Sequence, residues 1–165
     1  MESLRDTTPG SAAQRPVVLR VGCCAGFPGA LGACARHGVP ESTYLLEMDG
    51  RRTFFGAHTL LIPELAEVAR QFSEIDLVLL PINGLQIRAR LNRQIVMDAE
   101  EAASLAGTLP AGTAVPIHYA FTGGKVADRL LLKHDGRPEL FRDAATALAP
   151  QTTVRVLPPG EPLPI

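Results

Sequence analysis

Apolar and polar positions follow two different periods along the chain from residue 16 onward. Segments rich in β-branched and apolar residues predict strands at residues 16–22, 43–48, 52–55, 75–82, 114–119 and 152–158. The segment 75–82, IDLVLLPI, is almost continuously apolar. Such a run is typical of a strand that is covered on both faces.

Helical spacing of apolar residues occurs between these strands. Residues 63–72 begin with Pro63, a residue favoured at the first helical position, and place Leu65 and Phe72 at helical intervals. Residues 98–109 begin with Asp98, a good N-cap, followed by an acidic first turn that complements the helix dipole. A third helix is predicted at 138–148. Strands and helices in turn predict an α/β fold with a mixed sheet covered by helices.

Two loops have recognisable signals. Asp49-Gly50 separates the segments 43–48 and 52–55. This dipeptide predicts a two-residue hairpin, because a type I′ turn needs positive φ at both positions. The Gly-rich stretch at 26–32 predicts a longer loop, and residues 122–128 predict a flexible one. Gly123-Gly124-Lys125 lacks the first glycine of a phosphate-binding loop at the proper offset.

Composition limits the function classes. The chain has 165 residues, 46% of them hydrophobic and 20% charged, with a net charge of −1. We therefore expect no nucleic-acid partner. Its apolar runs are shorter than the roughly 20 residues of a membrane-spanning helix, and its N-terminus lacks a signal-peptide core. Residues 1–15 predict a disordered leader, and residues 16–165 a single domain.

The three cysteines are Cys23, Cys24 and Cys34. An odd number with two adjacent members does not make a disulfide framework, which favours a reducing, cytoplasmic location. Metal binding through these cysteines stays open, but adjacent cysteines lack the two-residue gap of a zinc knuckle. Burial as small apolar side chains is the favoured interpretation.

Three of the four histidines, His37, His58 and His118, each follow an extended segment or loop. α/β folds gather ligands at the carboxyl ends of strands, and three neutral imidazoles with one water make an open zinc site. Taken singly, each histidine is better explained as a partly buried imidazole with a hydrogen-bonded neighbour than as a metal ligand. We expect His134, in a polar turn, to be exposed, and Asp76 to cap or pair rather than to catalyse.

An ordered series of segments across residues 33–125 resembles the C-terminal half of a metallo-β-lactamase-fold hydrolase, in particular the ascorbate-phosphate lactonase branch. Ala35-Arg36-His37 matches a histidine after small residues, and Ala57-His58-Thr59 stands where the family has Gly-Asp-Thr. The later landmarks are the helix from Pro63, the strand at 75–82, the Met-to-Glu-Glu-Ala segment at 97–102, and Pro116-Ile117-His118.

The resemblance implies half of an αββα sandwich and a hydrolase of esters, lactones, amides or phosphodiesters that uses a metal-activated water. His37 and His118 would be metal ligands. His58 stands in place of the family's bridging aspartate and would complete a three-nitrogen set that holds the attacking water. A neutral imidazole has one lone pair where a carboxylate has two oxygens, so one zinc ion is favoured over two, or none binds. Arg36 and Tyr119 flank these histidines and would orient an oxygen of a small-molecule substrate; packing or a surface salt bridge explains them equally well.

The family's N-terminal half, with its His-x-His-x-Asp-His signature, has no counterpart in this sequence. We therefore expect a homodimer, or a partner chain that supplies the other half, because a lone half leaves sheet surface uncovered. The alternative function is a degenerate, non-catalytic module that acts in binding or assembly.

Overall fold

The computed structural model of the chain describes residues 17–22, 42–70, 72–88, 93–120, 123–158 and 160–163. Within these ranges the strands are β1 (Val17–Gly22), β2 (Ser42–Met48), β3 (Arg51–Phe55), β4 (Ile75–Pro81), β5 (Gln86–Ile87), β6 (Arg93–Gln94), β7 (Ala111–Ile117), β8 (Leu132–Lys133) and β9 (Thr153–Val154). The helices are α1 (Pro63–Ala69), α2 (Ala99–Thr108), α3 (Lys125–Leu130) and α4 (Pro138–Leu148). The predicted leader, the loop at 26–32 and the cysteines lie outside these ranges.

The main sheet is mixed. Its strand order is β1-β2-β3-β4-β7-β9, and a second, small sheet has the order β6-β5-β8. β1 and β3 pair with β2 in antiparallel fashion, whereas β3, β4, β7 and β9 run parallel to one another. The predicted α/β class with a mixed sheet and helices is confirmed. Parallel pairing also brings the carboxyl ends of β3, β4 and β7 to the same edge of the sheet.

The β2–β3 hairpin turns at the predicted dipeptide. Asp49 has φ 52° and Gly50 has φ 76°, the two positive values of a type I′ turn. Its register pairs Met48 with Arg51 and Leu45 with Phe54. The hairpin therefore carries Phe54 to the helix-covered face of the sheet.

The core lies between one face of the main sheet and three helices. Leu45, Phe54, Val78 and Ala114 are cross-strand neighbours on β2, β3, β4 and β7, and all are buried. The helical members of the same cluster include Leu65 and Ala69 from α1, Ala102 and Leu105 from α2, and Phe141 and Ala145 from α4. Burial of each large apolar side chain stabilises the fold by about 1.5–3 kcal/mol.

Helix α2 begins as its sequence predicts. The Asp98 side chain accepts a hydrogen bond from the Glu101 N–H at 2.9 Å, and Glu101 Oε2 accepts from the Asp98 N–H at 3.1 Å. This reciprocal capping box satisfies two of the donors that a helix start leaves unpaired. Near its other end, Gly107 lets α4 approach closely, because a Cβ there would lie 2.2 Å from the Leu148 carbonyl oxygen.

The last strand is shorter than predicted. The Arg155 N–H donates to the Ala114 carbonyl at 2.9 Å, so the main-chain groups of residue 114 face β9. The main-chain groups of alternate residues in a strand face the same neighbour, so those of residue 116 also face β9. Because Pro116 has no N–H to donate, the ladder ends and β9 covers only Thr153–Val154. The strand predicted at 114–119 correspondingly ends at Ile117, before His118.

Some elements depart from the sequence prediction. The region predicted as a loop at 122–128 contains the start of α3, which follows Gly124 at φ 92°. Asp128 Oδ1 accepts from the Gly123 N–H at 2.9 Å and closes the turn that leads into this helix. The strands of the small sheet, two residues each, are too short to give a periodic signal. Across the described ranges, no helix has the length and apolar character needed to cross a membrane.

Asp76 pairs, as expected, at the start of β4. Its Oδ1 accepts from the Arg51 guanidinium and its Oδ2 from the Arg52 main-chain N–H, both at 2.8 Å. The Arg52 N–H bond, followed by the Arg51 contact, holds the pKa of the Asp76 carboxyl below its usual value of 3.8. The ionised side chain thus links β3 to β4 at the end of the sheet opposite the carboxyl ends of these strands.

We expect Asp76→Asn to lower the free energy of unfolding by about 1 kcal/mol at neutral pH, a value reduced for solvent screening because the side chain is partly exposed. The folded-state pKa is depressed, so the wild-type advantage is full above pH 3.8 and is lost as the pH falls through the lowered pKa. Urea unfolding at several pH values measures this difference in the free energy of unfolding. Asp143→Asn, on the exposed face of α4, is the control; a wild-type advantage that persists unchanged into strong acid contradicts the assignment.

Candidate functional site

A polar side chain follows the carboxyl end of each of three adjacent parallel strands. His58 comes shortly after β3, Asn83 shortly after β4, and His118 directly after β7. The structure therefore brings together two of the three histidines predicted as ligands. Asn83 was not predicted from the sequence as a site residue. Its position after the buried strand at 75–82 is the signal that could have identified it.

The imidazole rings of His58 and His118 form a contact pair. Their centroids are 5.2 Å apart and their planes meet at 66°. His118 has φ 63° and Ala57, the residue before His58, has φ 46°. These left-handed backbones cost residues other than glycine about 1 kcal/mol or more each, so surrounding contacts must hold them. Strain at both histidine-bearing turns marks this edge of the sheet as a candidate site.

The turn that carries His58 is anchored on both sides. The Gly56 N–H donates to the Leu79 carbonyl at 2.8 Å, which extends the contact between β3 and β4. On the far side, the Thr59 carbonyl accepts from the Met97 N–H at 2.8 Å. A Cβ at position 56 would lie 3.1 Å from the Leu79 oxygen, so the close approach favours glycine. His58, half-buried, is held between these two contacts.

Asn83 links the centre of this edge to His118. It is fully buried, and its Oδ1 accepts from the Leu85 N–H at 3.2 Å. Its Nδ2 lies 3.0 Å from His118 Nδ1. Since the oxygen of the carboxamide faces an N–H, the amide nitrogen faces His118 and donates to Nδ1. A neutral ring that accepts at Nδ1 carries its proton on Nε2.

The surroundings of His118 disfavour its charged form. Partial burial of the ring, and secondly the positive charge that His58 can carry, lower the pKa of His118. Two imidazoles in contact cannot both be charged without repulsion. Both effects favour the uncharged form of His118.

The segment after β8 closes over the strand-end turns. A Cβ at Gly136 would lie 2.9 Å from the Cα atoms of both Asn83 and Tyr119, and the Asn83 carbonyl accepts from the Asp135 N–H at 3.0 Å. The Tyr119 hydroxyl donates to the Leu157 carbonyl at 3.4 Å, and the half-buried residue packs against the core. Its role in substrate binding stays a prediction, as does that of Arg36, which lies outside the described residues.

The expectation that His134 is exposed is wrong. Its side chain is 24% exposed, and its Nε2 lies 3.3 Å from Asp128 Oδ1. Asp128 sits in α3, an element that the sequence did not predict, so the partner could not be foreseen. His134 belongs to a structural contact between α3 and the segment after β8.

A cleft of about 520 Å³ lies beside the site. It is lined by Gly84, Gln86, Asp98, Ala99, Glu100, Lys133, His134, Asp135, Leu140, Ala144, Ala147 and Leu148. Neither His58 nor His118 lines it. Gly84 and Asp135 adjoin Asn83 and connect the wall of the cleft to the strand-end turns.

The imidazole pair meets a simple geometric test for a shared metal ion. Two imidazoles on one tetrahedral zinc, at Zn–N distances of about 2.0–2.1 Å, place their ring centroids about 5 Å apart. The observed separation of 5.2 Å fits. Within the part of the chain that the structure describes, no group of three His, Cys, Asp or Glu residues could hold an ion. His37, the third predicted ligand, lies outside that part.

Comparison with known proteins identifies a family. Residues 26–119, more than half of the chain, match a family model described as a beta-lactamase superfamily domain. A search of curated proteins gives no significant match.

Solved structures show the same fold. An isothiocyanate hydrolase from Delia radicum gut bacteria superposes with a TM-score of 0.59 at 14% identity, over 93% of this chain and 56% of that one. YhfI from Bacillus subtilis, a metallo-beta-lactamase fold protein, gives 0.55 at 12% identity, over 86% and 46%. A metallo hydrolase from Ignicoccus hospitalis gives 0.53 at 22% identity, over 74% and 45%. The chain thus spans about half the length of these proteins.

Gly136→Ala tests how tightly the site is packed. The added methyl group would overlap main-chain atoms of Asn83 and Tyr119, and main-chain atoms cannot shift without disturbing the fold. We therefore expect the free energy of unfolding to fall by about 1–3 kcal/mol. Urea unfolding measures the change. Gly112→Ala is the control, because its methyl group meets nothing closer than 3.4 Å. Equal stabilities of the two variants would show that the segment around Gly136 is not closely packed against Asn83 and Tyr119.

Proposed function

Because this chain belongs to the beta-lactamase superfamily and has the metallo-β-lactamase fold, we propose that it acts as a metal-dependent hydrolase whose ion is held by His58 and His118, with His37 as third ligand. The observation that carries the proposal is the contact of two imidazoles, with ring centroids 5.2 Å apart, at the carboxyl ends of β3 and β7, the two strands that flank β4. Zinc is the ion that a set of neutral imidazoles suits best.

One ion is proposed rather than two. His58 occupies the position of the family's bridging aspartate, and a neutral imidazole offers one lone pair to one cation. When bound, a zinc ion would supply Lewis acidity and a water of lowered pKa. His58 and His118 would hold that ion, and the contacts of their turns would keep the two imidazoles in place.

The proposed substrates are small molecules with an ester, lactone, amide or phosphodiester bond. Within this group a lactone is favoured, because the ordered landmarks from Ala35-Arg36-His37 to Pro116-Ile117-His118 resemble the ascorbate-phosphate lactonase branch. Arg36 and Tyr119 flank the ligand histidines in the chain and are proposed to orient a substrate oxygen. The Tyr119 hydroxyl would have to leave the Leu157 carbonyl to do so.

We expect the full chain, stripped of metal and reconstituted, to hold about one zinc ion. His58→Ala and His118→Ala should each weaken zinc binding by more than about 100-fold, because each removes a ligand rather than an outer partner. Competition with a chromophoric chelator measures the affinity. His134→Asn is the matched control, since His134 lies 3.3 Å from Asp128 and is not a proposed ligand. Absence of stoichiometric zinc, or equal weakening by the control, overturns the proposal.

A second candidate function, assembly, is supported by the other face of the main sheet. Tyr44, Phe55, Leu79 and Val115 are cross-strand neighbours on that face, and none belongs to the helix-covered core. On β2 the same face continues through Leu46 and Met48, which are 37% and 58% exposed. We call this row of six residues the second face. We propose that it binds a second copy of the chain, which would restore a two-sheet sandwich.

Self-association should appear as a dimer in sedimentation velocity at micromolar concentration. Leu46→Glu and Met48→Glu should give monomers, because each places a charge within the apolar contact. Val126→Glu is the control: Val126 is 71% exposed on α3, away from the second face. A wild-type monomer, or a dimer unaffected by both substitutions, contradicts this proposal.

A further inference from the structure

We infer that Asn83 is a positioning residue that fixes the tautomer of His118 and thereby limits the affinity of the site for a metal ion. The tautomer assignment stands on hydrogen bonding alone, whereas its consequence for metal affinity rests on the proposed function. Asn83 is fully buried at the carboxyl end of the central strand β4, between the turns that carry the two histidines.

The orientation of the Asn83 carboxamide is dictated by a main-chain donor. The Leu85 N–H points at Oδ1 at 3.2 Å, and Leu85 itself is buried. A rotated carboxamide would set the amide N–H₂ against this N–H and leave a buried donor unsatisfied. Oδ1 therefore faces Leu85, and Nδ2 faces His118 Nδ1 at 3.0 Å.

This orientation determines where the proton of His118 lies. Nδ1 must accept from the amide, so its lone pair is used and the neutral ring carries its proton on Nε2. Neither nitrogen of His118 then offers a lone pair to a metal ion. Coordination through Nε2 requires the proton to move to Nδ1, where it faces the amide donor of Asn83.

A metal-ligating histidine ordinarily donates its second N–H to an acceptor, often a carboxylate. Asparagine at position 83 can supply that acceptor only by rotating its carboxamide and abandoning the Leu85 N–H. Asn83→Asp removes the conflict, because a carboxylate accepts from the Leu85 N–H through one oxygen and from a His118 Nδ1–H through the other. Outer partners of this kind change metal affinity by about 10- to 100-fold.

Long-range ¹H–¹⁵N NMR of the metal-free, ¹⁵N-labelled full chain, recorded near pH 8, distinguishes the two tautomers of His118 directly. The His118 signals are identified by their loss in His118→Gln. We expect an unprotonated Nδ1 and a protonated Nε2 in the wild-type protein, and the reverse in Asn83→Asp. The wild-type spectrum is decisive even if the variant does not fold: a protonated Nδ1 overturns the inference.

Zinc affinity gives the second readout, by competition with a chromophoric chelator. Asn83→Asp should bind zinc at least about 10-fold more tightly than wild type. Gln86→Glu makes the same amide-to-carboxylate change on β5, away from His118, and should leave the affinity unchanged. Equal tightening by both variants, or none by Asn83→Asp, overturns the effect on affinity. If no form binds zinc, the proposed function fails, and the NMR spectrum still decides the tautomer.

Discussion

Parallel pairing of β3, β4 and β7 is the constraint on which the site depends. In parallel strands the carboxyl ends point to one edge, so residues far apart in sequence meet there: His58, Asn83 and His118. The strands are held in this order by the buried row Leu45, Phe54, Val78 and Ala114, against which the helices pack. A substitution that disrupts the packing of these four residues would separate His58 from His118, although both histidines would still be present.

At the carboxyl ends of β3, β4 and β7, anchored turns carry two imidazoles beside the buried Asn83. Contacts on both sides hold the strained turn at Ala57, and Gly136 packs closely against the main chain of Asn83 and of Tyr119, which follows His118. Asn83 then orients one imidazole relative to the other. We propose that this arrangement holds a single ion, and we infer that the buried Asn83 carboxamide favours the metal-free tautomer of His118.

Much of the fold follows from local signals in the sequence. Asp49-Gly50 specifies its turn, Asp98 caps its helix, and the apolar run at 75–82 is the central strand. The positions of His58 and His118 after strands indicated a shared site, and the resemblance to a known family made it the prediction. The importance of Asn83 was not predictable, because it depends on which N–H reaches Oδ1. The early end of β9 and the Asp128–His134 contact likewise arise from pairings between elements. Local periodicity of the sequence carries no information about such pairings.

The central claim, that the two imidazoles share one metal ion at this edge, is tested most directly by crystallography. Anomalous difference maps from a zinc-loaded crystal, collected on both sides of the zinc absorption edge, locate the ion independently of activity. One peak within about 2.0–2.1 Å of a ring nitrogen of both His58 and His118 is the predicted result. A map with no peak at this pair, or with zinc bound elsewhere, would contradict the claim.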